Sequence, residues 1–315
     1  MKKVLITEFM NQNSVSALKK KFKINYDKNL WKDEKKISNI ISEYNGLIVR
    51  NKTQVNKILL DKGKNLKFIG RLGVGLDNIN LNICKKLKIH VQPATGMNAD
   101  AVAEYVIGSS LHLIKNISLL HNGTIKGLWP RTSFTSRELK GKIFGLLGFG
   151  TIGKKVCRLA QNFGAEVVSF DPYISPSVQK KFNIKLLKFN KLIKISDILS
   201  IHLPLNNETL NLINFKTFSL MKKKPIIINS SRGSIINESD LIKAYKKKLI
   251  SGFALDVFKK EPVSKDFYKK IDSSINCIIT PHIAGVTYES NIRVSDFIAK
   301  KLINFLKSRF SIYLF

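Results

Sequence analysis

The sequence predicts an α/β fold of two doubly wound parallel sheets, on three observations. Short apolar, β-rich runs alternate with lysine-rich amphipathic segments from one end of the chain to the other, the pattern of parallel strands joined by helical crossovers. A glycine-punctuated strand–turn–helix unit lies at residues 142–171, near the middle of the chain and not at its start. At 315 residues the chain can bury one large core or two moderate ones, and two domains is the better prior.

In chain order, apolar strands are expected at residues 4–7, 47–50, 68–70 and 89–92, with amphipathic segments such as 15–21 and 55–61 between them. Asn98 can cap a long helix through 101–120. An irregular stretch with Trp and Pro follows at 121–136. The central block then supplies seven strands, near 143–147, 166–170, 184–186, 198–201, 226–229, 252–255 and 278–280, and a last helix is expected near 290–306. This predicts one domain over 98–286 and another over 1–97 plus 287–315, joined by two crossovers. A hinge and a cleft are then expected, with substrate bound in the cleft.

The charge is unusual. Lys and Arg number 54 against 22 Asp and Glu, a formal +32, which in a clustered form would suggest nucleic acid or an anionic membrane. The lysines are instead spread along the whole chain, and runs such as Lys222-Lys223-Lys224 fall at expected helix ends, where cations are favourable. The excess reads as compositional: no specific nucleic acid partner and no membrane are expected, though a basic surface would help to collect small anions. Three separated cysteines form no C-x-x-C pair, so buried free thiols in a reducing, cytoplasmic setting are expected, and no metal site. The N-terminus has only a short apolar run before Glu8 and reads as a first strand, not a signal peptide.

Within 142–171 an apolar strand leads into Gly148-Phe149-Gly150-Thr151-Ile152-Gly153, then a helix, then a second strand closed by Asp171. Gly148 allows the tight turn, Gly150 lets a pyrophosphate approach the backbone, and Gly153 lets the helix pack close to the sheet. The helix N-terminus offers N–H groups to phosphate. Asp171, about 20 residues on, can accept from both ribose hydroxyls and would repel a 2′-phosphate, which indicates NAD.

Three residues behind this loop each follow an apolar strand, on the edge where open α/β sheets take ligands: Arg232, Glu261 and His282. Hydride transfer between a nicotinamide and a 2-oxo acid needs a cation for the carboxylate and carbonyl, a proton donor for the alkoxide, and a group that keeps the donor protonated. The planar guanidinium of Arg232 suits the first, the imidazole of His282 the second, and the carboxylate of Glu261 the third. Singly, Arg232 reads equally as a helix-entry surface residue, Glu261 as a loop charge and His282 as a strand-end histidine bonded to backbone. It is their joint order behind a dinucleotide loop that favours chemistry.

The chain resembles the D-isomer-specific 2-hydroxyacid dehydrogenases, of the D-3-phosphoglycerate dehydrogenase-like group. The matching stretches are RLGVGLDNIN (71–80), ELKGKIFGLLGFGTIG (138–153), DILSIHLPL (197–205), INSSRGSIIN (228–237), FALDVFKKEP (253–262) and TPHIAG (280–285), spread over nearly the whole chain. The resemblance implies a Rossmann NAD-binding domain and a flavodoxin-like substrate domain, with Arg232, Glu261 and His282 as the catalytic set. It further implies that the backbone N–H groups of Val74 and Gly75 hold the substrate carboxylate. Asp256 would bind the nicotinamide carboxamide, and His202–Pro204 would line the cofactor pocket. The long helix and the loop around Trp129 would form a homodimer contact; an alternative makes Trp129 a buried anchor of its own subunit.

The chain ends just after the closing helix, so the regulatory domain of longer phosphoglycerate dehydrogenases is not expected. GMNADAVAEYVIG (96–108) and the residues after His282 resemble short-chain relatives equally well, some of which act on 3-sulfolactate. Arg50, Asn51 and Arg71 decide the substrate expectation. Arg50 and Arg71, at expected strand ends, can pair a phosphate or sulfonate on carbon 3, which makes a 3-phosphoglycerate-like acid the leading expectation. Alternatives are 3-sulfolactate, glyoxylate or hydroxypyruvate, and, outside catalysis, a dinucleotide-sensing corepressor-like protein.

Overall fold

The computed structural model describes residues 1–263, 267, 269, 271 and 275–307. The chain divides into two compact units, Met1–Asn98 with Val286–Phe315, and Ala99–Gly285.

The first unit holds five parallel strands, β1 (Lys3–Ile6), β2 (Lys23–Tyr26), β3 (Gly46–Val49), β4 (Phe68–Arg71) and β5 (His90–Pro93), in the order β2-β1-β3-β4-β5. This is the flavodoxin-like order, and it reverses between β1 and β3. Side-chain alternation along each strand fills both faces. Val4, Ile6, Ile48 and Phe68 pack with Val15 and Leu18 of the helix Gln12–Lys19 and with Val294, Ile298 and Leu302 of the helix Tyr288–Lys307. Their neighbours Leu5, Leu47, Val49 and Ile69 pack on the other face with Ile37, Leu59 and Cys84. Burial of each such side chain stabilises the fold by about 1.5–3 kcal/mol.

The second unit holds seven parallel strands, β6 (Ile143–Leu147), β7 (Glu166–Phe170), β8 (Lys185–Leu186), β9 (Ile198–Ile201), β10 (Ile226–Asn229), β11 (Gly252–Leu255) and β12 (Cys277–Ile279). Their order is β12-β11-β10-β9-β6-β7-β8, the doubly wound Rossmann arrangement, reversing between β6 and β9. Phe144, Leu146, Ile198 and Ile228 meet Val156, Cys157 and Ala160 of the helix Thr151–Asn162. Leu147, Leu199, Ile227 and Phe253 face the opposite layer with Leu192, Phe218 and Leu241.

Four features differ from the expectations. The edge strand β2 reads KINY, with only Ile24 and Tyr26 against the core, so no apolar run announces it. The single long helix is two, Ala99–Lys115 and Ile117–Ile125, because Asn116 turns with φ +54°, a left-handed conformation that breaks the hydrogen-bond ladder. Asn98 gives no cap through its side-chain oxygen, which is buried and accepts no hydrogen bond among the described residues. Trp129 is 76% exposed, so it does not anchor its own subunit.

Candidate active site

The glycine turn leaves β6 at Leu147. Gly148 takes φ +93°, and a Cβ there would stand 2.5 Å from the His202 carbonyl oxygen; one at Gly153 would stand 2.5 Å from the Gly148 carbonyl oxygen. Both glycines are therefore required by the protein itself. A Cβ at Gly150 would meet nothing within 4 Å, so its bareness leaves room for something outside the chain. Gly150 is also the N-cap of the Thr151–Asn162 helix and makes no side-chain cap, which leaves the first N–H groups, from Thr151 and Ile152 onward, aimed at an anion. Asp171 ends β7 beside this turn. Its Oδ2 accepts from the Phe149 N–H at 2.7 Å and its Oδ1 from the Tyr173 N–H at 2.9 Å, so the acid is fixed against the glycine turn with lone pairs to spare. A nucleotide diphosphate and its ribose fit this set of donors and acceptors.

His202 follows β9, across the point where the strand order reverses. Its N–H donates to the Leu147 carbonyl at 2.7 Å, and its Nε2 pairs with the Ser200 hydroxyl at 3.0 Å. Burial pushes the imidazole pKa down to about 4, so the ring is neutral at neutral pH. Pro204, two residues on, is exposed, and its carbonyl accepts from the Thr209 hydroxyl.

Arg232, Glu261 and His282 follow β10, β11 and β12, which are neighbours in the sheet. His282 Nδ1 lies 2.8 Å from Glu261 Oε2. That bond fixes Nδ1 as the protonated nitrogen and leaves Nε2 without a protein partner among the described residues, on a side chain that is half exposed. Glu261 Oε1 accepts from the Phe258 N–H at 3.1 Å. The arginine loop abuts that same backbone, since a Cβ at Gly233 would stand 2.0 Å from the Phe258 carbonyl carbon. The half-buried Arg232 donates from Nη1 to the Ser231 carbonyl at 2.7 Å.

Asp256, which closes β11, has no exposed surface. Its Oδ1 accepts from the Thr280 hydroxyl at 2.6 Å and the Ile283 N–H at 2.7 Å, and its Oδ2 accepts from the Ala284 N–H at 2.8 Å. The Tyr105 hydroxyl backs Thr280 at 2.8 Å. These bonds tie down both flanks of His282, whose φ of +58° is uncommon for a residue with a side chain. The Asp256 carboxylate, expected to meet the nicotinamide carboxamide, thus also braces the histidine loop of its own chain.

In the first unit, Arg50, Asn51, Arg71, Val74 and Gly75 lie on the carboxyl edge of the five-stranded sheet. Arg50 follows Val49, the residue paired with Arg71 across β3 and β4. Arg50 is half-buried and donates from Nη2 to Asn291 Oδ1 at 2.9 Å, while Asn51 is exposed. The Arg71 side chain bends back over Gly73, where a Cβ would stand 1.5 Å from its Nη1, and that nitrogen donates to the Leu72 carbonyl. Exposed Val74 and half-buried Gly75 follow in the same loop.

The family model described as D-isomer specific 2-hydroxyacid dehydrogenase, NAD binding domain, matches residues 107–284. An (S)-sulfolactate dehydrogenase of Chromohalobacter salexigens is 36% identical over 94% of this chain and 95% of its own length. This chain is a D-isomer-specific 2-hydroxyacid dehydrogenase. A D-3-phosphoglycerate dehydrogenase of Archaeoglobus fulgidus is 33% identical over 97% of this dehydrogenase, which spans only 57% of that longer enzyme. A crystal structure of D-lactate dehydrogenase from Aquifex aeolicus, complexed with NAD and lactic acid, matches with a TM-score of 0.81 at 28% identity, over 96% of this chain and 95% of that one. The cofactor of this dehydrogenase is NAD, taken by the second unit.

Sequence reasoning missed two residues that hold the site. Asn229, fully buried at the end of β10, accepts from the Ser231 N–H and hydroxyl and donates to the Arg232 carbonyl, shaping the arginine loop. Thr280 links Tyr105 to Asp256. The available signal was a polar residue closing an otherwise apolar strand, as in IIIN and FALD.

Proposed function

We propose that this dehydrogenase interconverts a D-2-hydroxy acid carrying a second anionic group on carbon 3 with its 2-oxo acid. The best single support is the pair of guanidinium groups, Arg50 and Arg71, on adjoining strand ends of one sheet edge. One carboxylate does not require two further arginines, whereas a phosphate or sulfonate offers the oxygens to occupy them. The leading substrate is therefore 3-phosphoglycerate-like. A sulfonate in the phosphate position is the second reading, supported by the likeness to a sulfolactate dehydrogenase.

In this reading bound NAD would supply the hydride chemistry at carbon 2. Arg232 grips the carboxylate and polarises the oxygen on carbon 2, with the Val74 and Gly75 N–H groups as further carboxylate donors. His282 takes the hydroxyl proton on Nε2 during oxidation and returns it during reduction. Glu261, bonded to Nδ1, stabilises the imidazolium formed in between. Asp171 accepts from the ribose hydroxyls and disfavours a 2′-phosphate. The neutral His202, with Pro204, lines the cofactor site.

NAD reduction over D-3-phosphoglycerate, both sulfolactate enantiomers, D-lactate, glycerate and malate tests the substrate. Turnover is expected with an acid carrying an anion on carbon 3 and should be lost in His282→Ala, which retains NADH binding. Turnover of the singly charged acids alone would defeat the Arg50 and Arg71 assignment.

We also propose a homodimer, supported by the apolar surface at Ile117, Ile125, Leu128 and Trp129. A cytoplasmic location is proposed from the buried thiols of Cys84 and Cys157, which burial pushes up to about 11 and about 12. Among the described residues no helix is long and apolar enough to cross a membrane.

A further inference from the structure

Glu8 follows β1 and is 4% exposed, yet no step above uses it. A carboxylate is costly to bury unless its lone pairs are taken, and here backbone donors take them. Oε1 accepts from the N–H groups of Arg50 at 2.8 Å and Thr53 at 3.0 Å, and Oε2 accepts from the N–H of Lys52 at 3.1 Å. All three donors belong to the turn that leaves β3. The same turn is held from its carbonyl side, where Asn78 Nδ2 donates to the carbonyls of Arg50 at 3.0 Å and Thr53 at 2.7 Å. Thr7 and Thr53 pair their hydroxyls at 2.7 Å beneath it.

This arrangement sits at the point where the strand order of the five-stranded sheet reverses, between β1 and β3, the position at which open parallel sheets commonly take ligands. Three amides converge there as they would on a bound anion, but the anion is the protein's own. With the turn fixed, the Arg50 side chain leaves it toward Asn291 Oδ1, and its guanidinium carbon lies 5.8 Å from the centre of the Phe9 ring. Burial weakens the hold of Arg50 on its proton, and the Glu8 charge opposes that loss. A rigid, charged Arg50 is what selective recognition of a second anion needs, because a mobile one would lose affinity to ordering.

We infer that Glu8 is a positioning residue for substrate choice: as an internal anion it closes the 50–53 turn and so presents Arg50 to the group on carbon 3. The inference rests on the proposed role of Arg50. Glu8→Gln keeps the shape and one acceptor oxygen but can turn an amide N–H toward the Lys52 N–H.

The experiment is steady-state kinetics of the full chain with wild type, Glu8→Gln, Glu8→Asp, Arg50→Gln and the Glu8→Gln/Arg50→Gln double variant. Each is assayed with the doubly charged acid that wild type turns over and with glycerate. Glu8→Gln is expected to raise KM for the doubly charged acid by about tenfold with kcat within about threefold, and to raise it far less for glycerate. Glu8→Asp should recover part of the loss. The double variant should be no worse than Arg50→Gln, because the two residues act as one unit. An unchanged KM, an equal rise for both acids, or additive losses in the double variant would each overturn the inference. Should Glu8→Gln not fold, Asn78→Ala loosens the same turn from its carbonyl side and must give the same selective rise. If wild type turns over no doubly charged acid, the substrate reading has failed and this inference falls with it. If it does and the variants leave selectivity unmoved, this inference alone has failed.

Discussion

His202 and His282 each follow a strand of the seven-stranded sheet, but their imidazoles are held in different ways. His282 is half exposed, with Glu261 on Nδ1 and no protein partner on Nε2 among the described residues. His202 is held neutral by burial, with its pKa at about 4 against an ordinary 6.5. Between those values the unfolded state binds the proton and the folded state does not, so stability must rise with pH across that window. The contribution is complete above about 6.5 and is lost as pH falls toward 4, by at most about 2–3 kcal/mol. Urea midpoints measured at pH 8 and pH 4.5 should separate more for wild type than for His202→Asn; equal separations would show that His202 does not carry the dependence. The candidate trio stood out by its joint order after successive apolar strands, although Glu261 lies six residues beyond the end of β11, and the structure pairs Glu261 with His282. For Asp256 the resemblance conveyed that the residue matters without saying which way its oxygens face, and the bonds to Thr280, Ile283 and Ala284 were not legible. Glu8 and Asn229 bond mainly to backbone, and that leaves no motif.

The strand–turn–helix element shows which parts of a glycine pattern serve the chain and which serve a ligand. Gly153 is closed to a Cβ by the Gly148 carbonyl oxygen, whereas Gly150 looks onto open space at an ordinary φ of −70°. Gly153→Ala should therefore lower both the melting temperature and NADH affinity. Gly150→Val should leave the melting temperature close to that of wild type and weaken NADH by at least about tenfold, because the new side chain occupies the path of the pyrophosphate. Thermal unfolding beside NADH fluorescence titration reads both, and a Gly150 variant that binds NADH normally would remove the pyrophosphate from this turn. The seven strands of the second sheet were legible from sequence because both of its faces are covered, which forces near-continuous apolar runs. Edge strand β2 was not, since an edge needs little burial and tolerates Lys23 and Asn25. Nor was the break at Asn116, where the apolar periodicity continues through IKNISLL while one residue turns left-handed.

At the scale of the whole molecule, the +32 charge and the apolar surface around Trp129 act in opposite senses on self-association. Like-charged protomers repel, and a basic surface keeps them apart at low ionic strength. Ile125, Leu128 and Trp129 are 70%, 61% and 76% exposed within a short stretch of the second unit. A large aromatic flanked by aliphatics is the composition of an interface centre, and its burial would supply the association energy that the charges oppose. Two results follow if this surface joins two copies. Added salt should strengthen the dimer, because it screens repulsion and leaves the apolar contact intact. Trp129→Asp should give monomers at concentrations where wild type is dimeric, while its NADH affinity and far-UV spectrum remain unchanged, since the side chain contributes little to the fold of its own subunit. Sedimentation velocity at 50 mM and 300 mM salt, where the screening length is about 14 Å and about 6 Å, distinguishes the outcomes. A dimer that weakens as salt rises would be held by ion pairs elsewhere, and a Trp129→Asp protein that remains dimeric would move the interface away from this surface.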